Sequence, residues 1–441
     1  MGSASSRLQT PVPKLVFVNR YFFPDESATS RMLSDLAFRL ARCGVAVAVV
    51  TSRQLYSDAQ ADLPAREFVN GVDVHRVATA SRGRSRLAGR AMDYASFHVM
   101  AGRTLLRMLA RGDVVVAKTD PPLISATVAR AAAWKDALLV NWLQDLFPEV
   151  ASVLTPGLVP SWLERLLLAL RDNSLRTARM NVVLSDGMRR HVLARIADER
   201  RVRTIPNWAD VANIVPLPTD ASVTRHRLGL SRRFVVGYSG NFGRAHEFET
   251  LLGAACLLRE ESRFAFLMTG AGAKSGGLRQ AVQGQGLNNF VFQDYQPPEL
   301  LSDSMAAADV HLVSLLPALE GLIVPSKVYG ILAAARPAVF IGDPAGDLAT
   351  MLHDRVCGVS VRVGDSADLA AQLRALADDA NRLDALGRNA RQLALQRYTS
   401  EHAVSDWIEF LTQVAPKVAG GGVQPVQTEP TEAVRQSLPV G

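Results

Sequence analysis

Cysteine is scarce in this chain: Cys43, Cys256 and Cys357 are the three in 441 residues, far apart and in no metal-ligand spacing. Three thiols cannot all pair, so a disulfide framework does not hold the fold, and free thiols in a reducing cytosol are expected. The opening residues Met1 to Pro13 lack the apolar segment of a secretory leader, and none is expected. No uncharged apolar run approaches the length of a membrane span. The eight histidines form no close metal-binding pair, and no nucleophilic triad is evident, so no metal is expected. Aromatic residues make up only 6% and few interleave with the arginines. That leaves no stacking platform for single strands, and no nucleic-acid partner is expected.

What is present is an ordinary globular balance, 48% hydrophobic and 21% charged, in a length that suits two or three domains. The charge is unevenly placed. Met1 to Ala209 holds 29 Lys+Arg against 18 Asp+Glu, a net of +11, and the remainder holds 20 against 24, a net of −4. A basic half joined to a mildly acidic half implies different partners for each.

Short apolar runs alternate with amphipathic helical patterns. Leu15–Val18, Val45–Thr51, Val114–Ala117, Leu138–Trp142 and Asn181–Leu184 read as strands, with helices over Ser27–Cys43, Arg90–Arg111 and Ile124–Trp134 between them. The alternation breaks at Pro206–Arg233, where three prolines and several charges read as a linker. It restarts with strands at Phe234–Tyr238, Phe264–Met268, Val310–Val313 and Ala338–Ile341, and helices beginning near His246, Gly276, Pro298, Pro325 and Ala345. Strand–helix alternation of this kind predicts parallel sheets covered on both faces, an α/β class of two doubly wound domains. The expected division is 14–207, a linker over 208–233, 234–399, a C-terminal helix over 400–414 that packs back on the first domain, and a disordered tail over 417–441.

The most specific stretch is Leu319-Glu320-Gly321-Leu322-Ile323-Val324-Pro325-Ser326-Lys327, which runs on to Arg336-Pro337. A carboxylate and a glycine end a loop, and Pro325, Ser326 and Lys327 open an apolar helix. Lys327 at a helix start opposes the helix dipole, a violation that marks a place where an anion compensates. Two glycine loops also follow strands. Gly240, Asn241 and Gly243 precede Arg244, which has the geometry for bidentate phosphate bonds, and Gly270 and Gly272 precede Lys274. The first loop equally suits a plain packing turn, and the second reads rather as a plain turn than as a binding loop. In the first half, Gln144-Asp145-Leu146-Phe147-Pro148-Glu149 places two carboxylates beyond a strand, where Asp145 is positioned either to hold a nucleophile hydroxyl or to cap a turn. Lys118-Thr119-Asp120-Pro121-Pro122 ends another strand.

Taken together, the Phe23-Pro24-Asp25 loop, the 144–149 run, Ile205-Pro206-Asn207-Trp208, Tyr238–Arg244 and Pro325-Ser326-Lys327 make the chain resemble bacterial glycosyltransferases of family 4, with the two-Rossmann GT-B architecture facing across a cleft. The closest likeness is to members that build surface polysaccharides, of colanic-acid and N-acetyl-fucosamine type. The resemblance implies retaining, metal-independent transfer from a UDP- or GDP-linked sugar on the second domain, with no further cofactor, to an acceptor on the first. It gives Glu320 the donor hexose. Gly321, Leu322, Pro325 and Ser326 fall to the donor site with Gly240, Asn241, Gly243, Gly270 and Gly272. Arg244, Lys327 and backbone N–H groups of Gly240 and the 321–325 loop are the candidates for the diphosphate charge, and Asp145 for the acceptor. The family's second Glu is absent, with Val328 or Gly330 in its register, and Gln144 stands where members carry a His.

The acceptor is expected to be a saccharide on polyprenyl diphosphate. That places the chain in the cytoplasm, peripheral to an anionic membrane face reached through Arg82–Phe97 or Val159–Leu170. A nucleotide-sugar epimerase and a non-catalytic binding module are the alternatives. Replacement Glu320→Ala or Lys327→Ala is expected to abolish most transfer in a chain that still folds, since one preorganised charge-stabilising donor is worth about 2.7–4 kcal/mol; near-normal turnover in either variant refutes the assignment.

Overall fold

The computed structural model describes residues 13–82, 87–157 and 159–419. The first half opens with β1 (Leu15–Val18), α1 (Ala28–Arg42), β2 (Val47–Ser52), β3 (Arg66–Val69), β4 (Val72–Val77) and α2 (Leu87–Met108). It continues with β5 (Val114–Ala117), α3 (Ile124–Trp134), β6 (Leu138–Trp142), α4 (Glu149–Leu154), α5 (Ser161–Thr177), β7 (Met180–Val183), α6 (Asp186–Ile196) and β8 (Val202–Thr204). These strands form one sheet in the order β3-β4-β2-β1-β5-β6-β7-β8, parallel throughout except for the antiparallel β3–β4 pair. Every residue of β1, β2 and β5 is buried, because helices cover both faces, and this is why they read as apolar runs.

The second half contains α7 (Val223–Arg227), β9 (Phe234–Ser239), α8 (Glu249–Leu257), β10 (Phe264–Thr269), α9 (Ser275–Gly284), β11 (Phe290–Gln293) and α10 (Leu301–Ala306). Then come β12 (Val310–Ser314), α11 (Lys327–Ala333), β13 (Ala338–Gly342), α12 (Asp347–Asp354) and β14 (Gly358–Arg362). The described residues end with four helices: α13 (Ser366–Asp378), α14 (Ala380–Arg397), α15 (Ser400–Val414) and α16 (Pro416–Ala419). The second sheet, β11-β10-β9-β12-β13-β14, is entirely parallel. The two-domain GT-B architecture is therefore what the chain adopts. In each sheet the strand order reverses beside the first strand of the domain, between β1 and β5 and between β9 and β12. Open parallel sheets bind ligands in the crevice at such switch points.

The structure departs from the sequence reading at the unexpected edge strands β8, β11 and β14 and at three further segments. The β3–β4 hairpin was not expected; Asn70 and Gly71, at φ of 48° and 83°, form its two-residue turn. The stretch expected as a linker is ordered. Trp208 stacks on Trp142 with ring centroids 6.3 Å apart, and Asp303 accepts from the N–H groups of Val223 and Thr224 at the start of α7. Lys417 to Ala419, expected as tail, lie in the short helix α16; the rest of that tail, 420–441, lies outside the described residues.

α15 packs against α1, so the last long helix completes the first domain. Its Trp407 is fully buried, 6.1 Å from Phe17 and 5.1 Å from Trp142 between ring centroids. The chain thus crosses between domains twice, after Trp208 and again near Tyr398. The crossings lie side by side: the Ala209 N–H donates to the Tyr398 carbonyl at 2.7 Å, and Ala209 bridges Thr399 in parallel. Trp407→Ala is expected to destabilise the first domain by about 3–5 kcal/mol, the usual cost of emptying a buried aromatic site. Denaturant unfolding followed by tryptophan fluorescence would read it, and a loss under about 1 kcal/mol would show that α15 is not part of that core.

Candidate active site

The first-domain wall is built from the loops that leave β1, β5 and β6. After β1, the Asp25 carboxylate accepts from the Ser27 N–H at 2.9 Å, from the Ser27 hydroxyl and from the Tyr56 N–H. One buried carboxylate thereby ties the loops after β1 and β2 together. After β5, Lys118 is 2% exposed; its ammonium donates to the Thr29 carbonyl at 2.7 Å and lies 4.3 Å from the Trp142 ring centroid. Burial pulls its pKa down to about 7, with Asp120 opposing the shift.

After β6, Gln144 and Asn207 exchange side-chain amide bonds at 3.4 and 3.2 Å. Asp145 follows. Its carboxylate accepts from the Thr119 hydroxyl, while Oδ1 is buried with no partner among the described residues, and burial raises its pKa. The expected second carboxylate, Glu149, is withdrawn from the cleft: Arg171 holds it through two bonds of 2.6 and 3.1 Å.

A cleft of about 440 Å³ opens here. Thr29, Tyr56, Tyr94, Thr119, Gln144, Asp145 and Asn207 line its first-domain side; Ile323, Val324 and Ser326 line the other. The second domain reaches across because the Leu319–Ile323 turn docks on the first. The Leu146 N–H donates to the Leu322 carbonyl at 3.0 Å, and Asp145 bridges Ile323 in antiparallel fashion. Gly321 adopts φ of 71°, and a Cβ there would fall 2.7 Å from His191 Cδ2, so only glycine permits this approach.

Glu320 points away from solvent. Oε1 accepts from the Asp347 N–H, at the start of α12, at 2.8 Å. Oε2 is buried with no partner among the described residues. Burial raises the pKa of the carboxyl, and the nearby Asp347 and Asp343 add to it. The Asp347 carboxylate in turn accepts from the Gly187 N–H at 2.6 Å and faces Arg190 at 3.3 Å, both on α6 of the first domain. Gly346 and Asp347 were not read from the sequence as site residues, because their contact with Glu320 depends on tertiary packing alone.

The second glycine loop buttresses the first. A Cβ on Gly270 would lie 2.1 Å from the Gly240 carbonyl oxygen, and one on Gly272 would lie 2.3 Å from Asn241 Oδ1. The Phe242 N–H donates to Ala271 and the Lys274 N–H to Phe242, each at 2.9 Å. Lys274 Nζ donates to the His246 carbonyl at 2.6 Å. Gly270 and Gly272 therefore have a packing task, which is holding the 240–242 loop. Gly243 and the exposed Asn241 and Arg244 continue that loop.

Lys327 opens α11, and its ammonium is the least compensated charge of the site. Nζ lies 3.5 Å from the Tyr238 ring centroid and 3.6 Å from where a Gly240 Cβ would stand. It has no hydrogen-bond partner among the described residues, and burial drives its pKa well below the usual lysine value. His246 stands within reach of its charge. Burial, with Lys327 adding, holds the imidazole pKa at about 4, so the ring is neutral at pH 7. Its Nδ1 lies 2.6 Å from the Ser314 carbonyl, which can only accept. The proton therefore sits on Nδ1, leaving Nε2 an acceptor.

Two expectations about backbone donors are corrected. The Gly240 N–H donates to Thr269 at 3.0 Å, and the Leu322 and Ile323 N–H groups donate to Leu319 at 3.0 and 3.3 Å. α11 is also only two turns long, from Lys327 to Ala333, so its dipole is small. The attraction for an anion therefore rests on the ammonium. The seat on Tyr238 was missed from the sequence, although the tyrosine stands two residues before Gly240. Among the described residues no cluster of His, Cys, Asp or Glu converges to hold a metal ion.

Residues 27–208 match the glycosyl transferase 4-like domain family, and residues 233–379 match the glycosyl transferases group 1 family. The chain is a glycosyltransferase of this two-domain family. It is similar to the probable glycosyltransferase WbjE of Pseudomonas aeruginosa, 28% identical over 296 residues, covering 66% of this chain and 72% of that protein. It is also similar to the putative colanic acid biosynthesis glycosyl transferase WcaI of Escherichia coli, 29% identical over 160 residues, covering 36% of this chain and 39% of that one. Among solved structures, Anabaena HepE in complex with UDP-glucose superposes with a TM-score of 0.67 at 18% identity, covering 91% of this glycosyltransferase and 99% of HepE.

Removing an unpaired buried charge relieves the fold. Lys327→Met is expected to stabilise the enzyme by about 1–3 kcal/mol while removing its thermal response to pyrophosphate or a nucleoside diphosphate. Differential scanning fluorimetry tests both; an unchanged melting temperature together with an intact ligand shift would contradict the assignment.

Proposed function

We propose that this glycosyltransferase moves a sugar from a nucleoside-diphosphate donor on the second domain to a hydroxyl of a saccharide carried on polyprenyl diphosphate, in surface polysaccharide synthesis. The observation that carries the reading is the buried, unpartnered Lys327 ammonium beside the Gly240 loop. A diphosphate supplies the countercharge that the fold omits. The UDP-glucose held by HepE and the colanic acid role in the name of WcaI support the donor class and the product class.

Breaking the sugar–phosphate bond concentrates negative charge on the leaving diphosphate. Lys327, with Arg244 at the mouth of the loop, stabilises that charge in a site from which water is largely excluded. Glu320 turns its free oxygen to a sugar hydroxyl. Asp145, at the seam between domains, orients the acceptor hydroxyl in the 440 Å³ cleft. The two substrates meet on one face of the transferred sugar: the acceptor oxygen bonds to the anomeric carbon as the bond to the phosphate oxygen breaks, the acceptor proton passes to that departing oxygen, and configuration is retained, while the cationic side chains do the work that a divalent ion does elsewhere.

The test is a screen of UDP- and GDP-sugars against lipid-linked saccharide acceptors, with the product anomer assigned by NMR and each assay repeated in EDTA. Transfer with retention that survives EDTA is expected, and Asp145→Asn should lower kcat by about 10²–10⁴-fold. Epimerised donor without transfer, an inverted product or dependence on added metal would overturn the corresponding part of the reading.

A further inference from the structure

The first domain carries an apolar surface that its core does not explain. On α2, Met92, Val99 and Leu106 are 50%, 52% and 42% exposed. They stand seven residues apart, so they form one stripe along the outer face of the helix. α2 packs on α3 and α3 packs on α5, which sets three helices side by side over the sheet. Trp134 at the end of α3 is 83% exposed, and Trp162 and Leu166, one turn apart on α5, are 65% and 49% exposed. Large apolar side chains left in water on adjacent helices mark a docking surface.

The exposed charges on these helices are positive. Arg103, Arg107, Arg130, Arg165 and Arg176 are all exposed on these three helices. The acidic residues of the same helices are engaged elsewhere. Asp93 is 2% exposed and faces Arg20, Glu164 accepts from the Ser152 hydroxyl, and Asp172 is held by Arg171 at 2.7 Å. α3 contains no carboxylate. Arginine side chains beside tryptophan, leucine and methionine, with exposed Asp136 just past the end of α3 outnumbered by them, complement an anionic lipid surface. No helix among the described residues is long and apolar enough to cross a membrane, so the contact is one of lying on it. The surface also leads to the site, because Tyr94 of the same α2 lines the cleft.

We propose that the α2–α3–α5 face is a membrane-docking surface that rests on the anionic leaflet, with the cleft opening at its edge. The face gives the lipid-linked acceptor proposed above a route into the cleft, and in that respect it deepens that reading. Within the segments expected from sequence, Phe97 proves to be core, Arg84 and Arg86 lie outside the described residues and Met92 is exposed; Val99, Leu106 and Trp134 were not named from the sequence as part of this surface.

Flotation of the full chain with phosphatidylglycerol-containing vesicles and with neutral phosphatidylcholine vesicles tests the surface without any turnover, so its failure leaves the transfer reading standing. The wild type should float with the anionic vesicles and lose binding as salt rises. Val99→Asp with Leu106→Asp should weaken binding about tenfold or more at an unchanged melting temperature. Arg103→Glu with Arg107→Glu provides a second variant that leaves the apolar residues intact and should also weaken it. Binding indifferent to lipid charge, or unchanged in both variants, overturns the proposal. So does a concentration-dependent dimer that the Val99/Leu106 variant abolishes, or retention on an oligonucleotide in place of vesicles.

Discussion

The structure turns on one uncompensated charge. An ammonium buried against the face of Tyr238 gains some cation–π energy, but far less than it loses on leaving water. A fold retains such an arrangement only if neighbouring packing over-determines it. Here α11 is locked into the core shared by both domains through Val328, Tyr329 and Leu332, which fixes the point from which the lysine side chain extends. The two glycine loops press the backbone of Gly240 towards the same point. Much of the second domain's detail near the cleft serves to hold one positive charge without a partner.

Two carboxylates, one from each domain, add buried polar atoms of their own. Asp145 and Glu320 each retain an oxygen without a partner, and both stand where the Leu319–Ile323 turn meets the first domain. Buried polar groups are normally satisfied. Asp145, Glu320 and Lys327 are exceptions near the cleft, and a bound substrate would supply the partners they lack. The location follows from topology, since both sheets reverse their strand order beside β1 and β9 and present these loops to each other.

The sequence was most legible where burial is complete. β1, β5, β12 and β13 are buried at every residue, and each was found within a residue or so of its bounds. Strands exposed on one side were passed over: β3 alternates exposed and half-buried residues, and β11 and β14 lie at sheet edges, although Asn70-Gly71 carried a hairpin signal. Lys327 was legible as a charge at the wrong end of a helix. The bond from Glu320 to Asp347 was not, because it joins two loops brought together by the crossover from β12 to β13. The surface helices were half legible. Periodicity located α2, but which of its apolar residues faced outward depended on where β2 and β4 lay beneath it.

The paired crossings at Ala209 and Tyr398 constrain how the two halves can move. A single tether would let them tumble, slide and twist. Two strands of backbone running abreast and bonded to each other act as a hinge pin with a definite axis. Any relative motion that keeps this pairing turns about it, a far narrower choice of paths than one strand would leave.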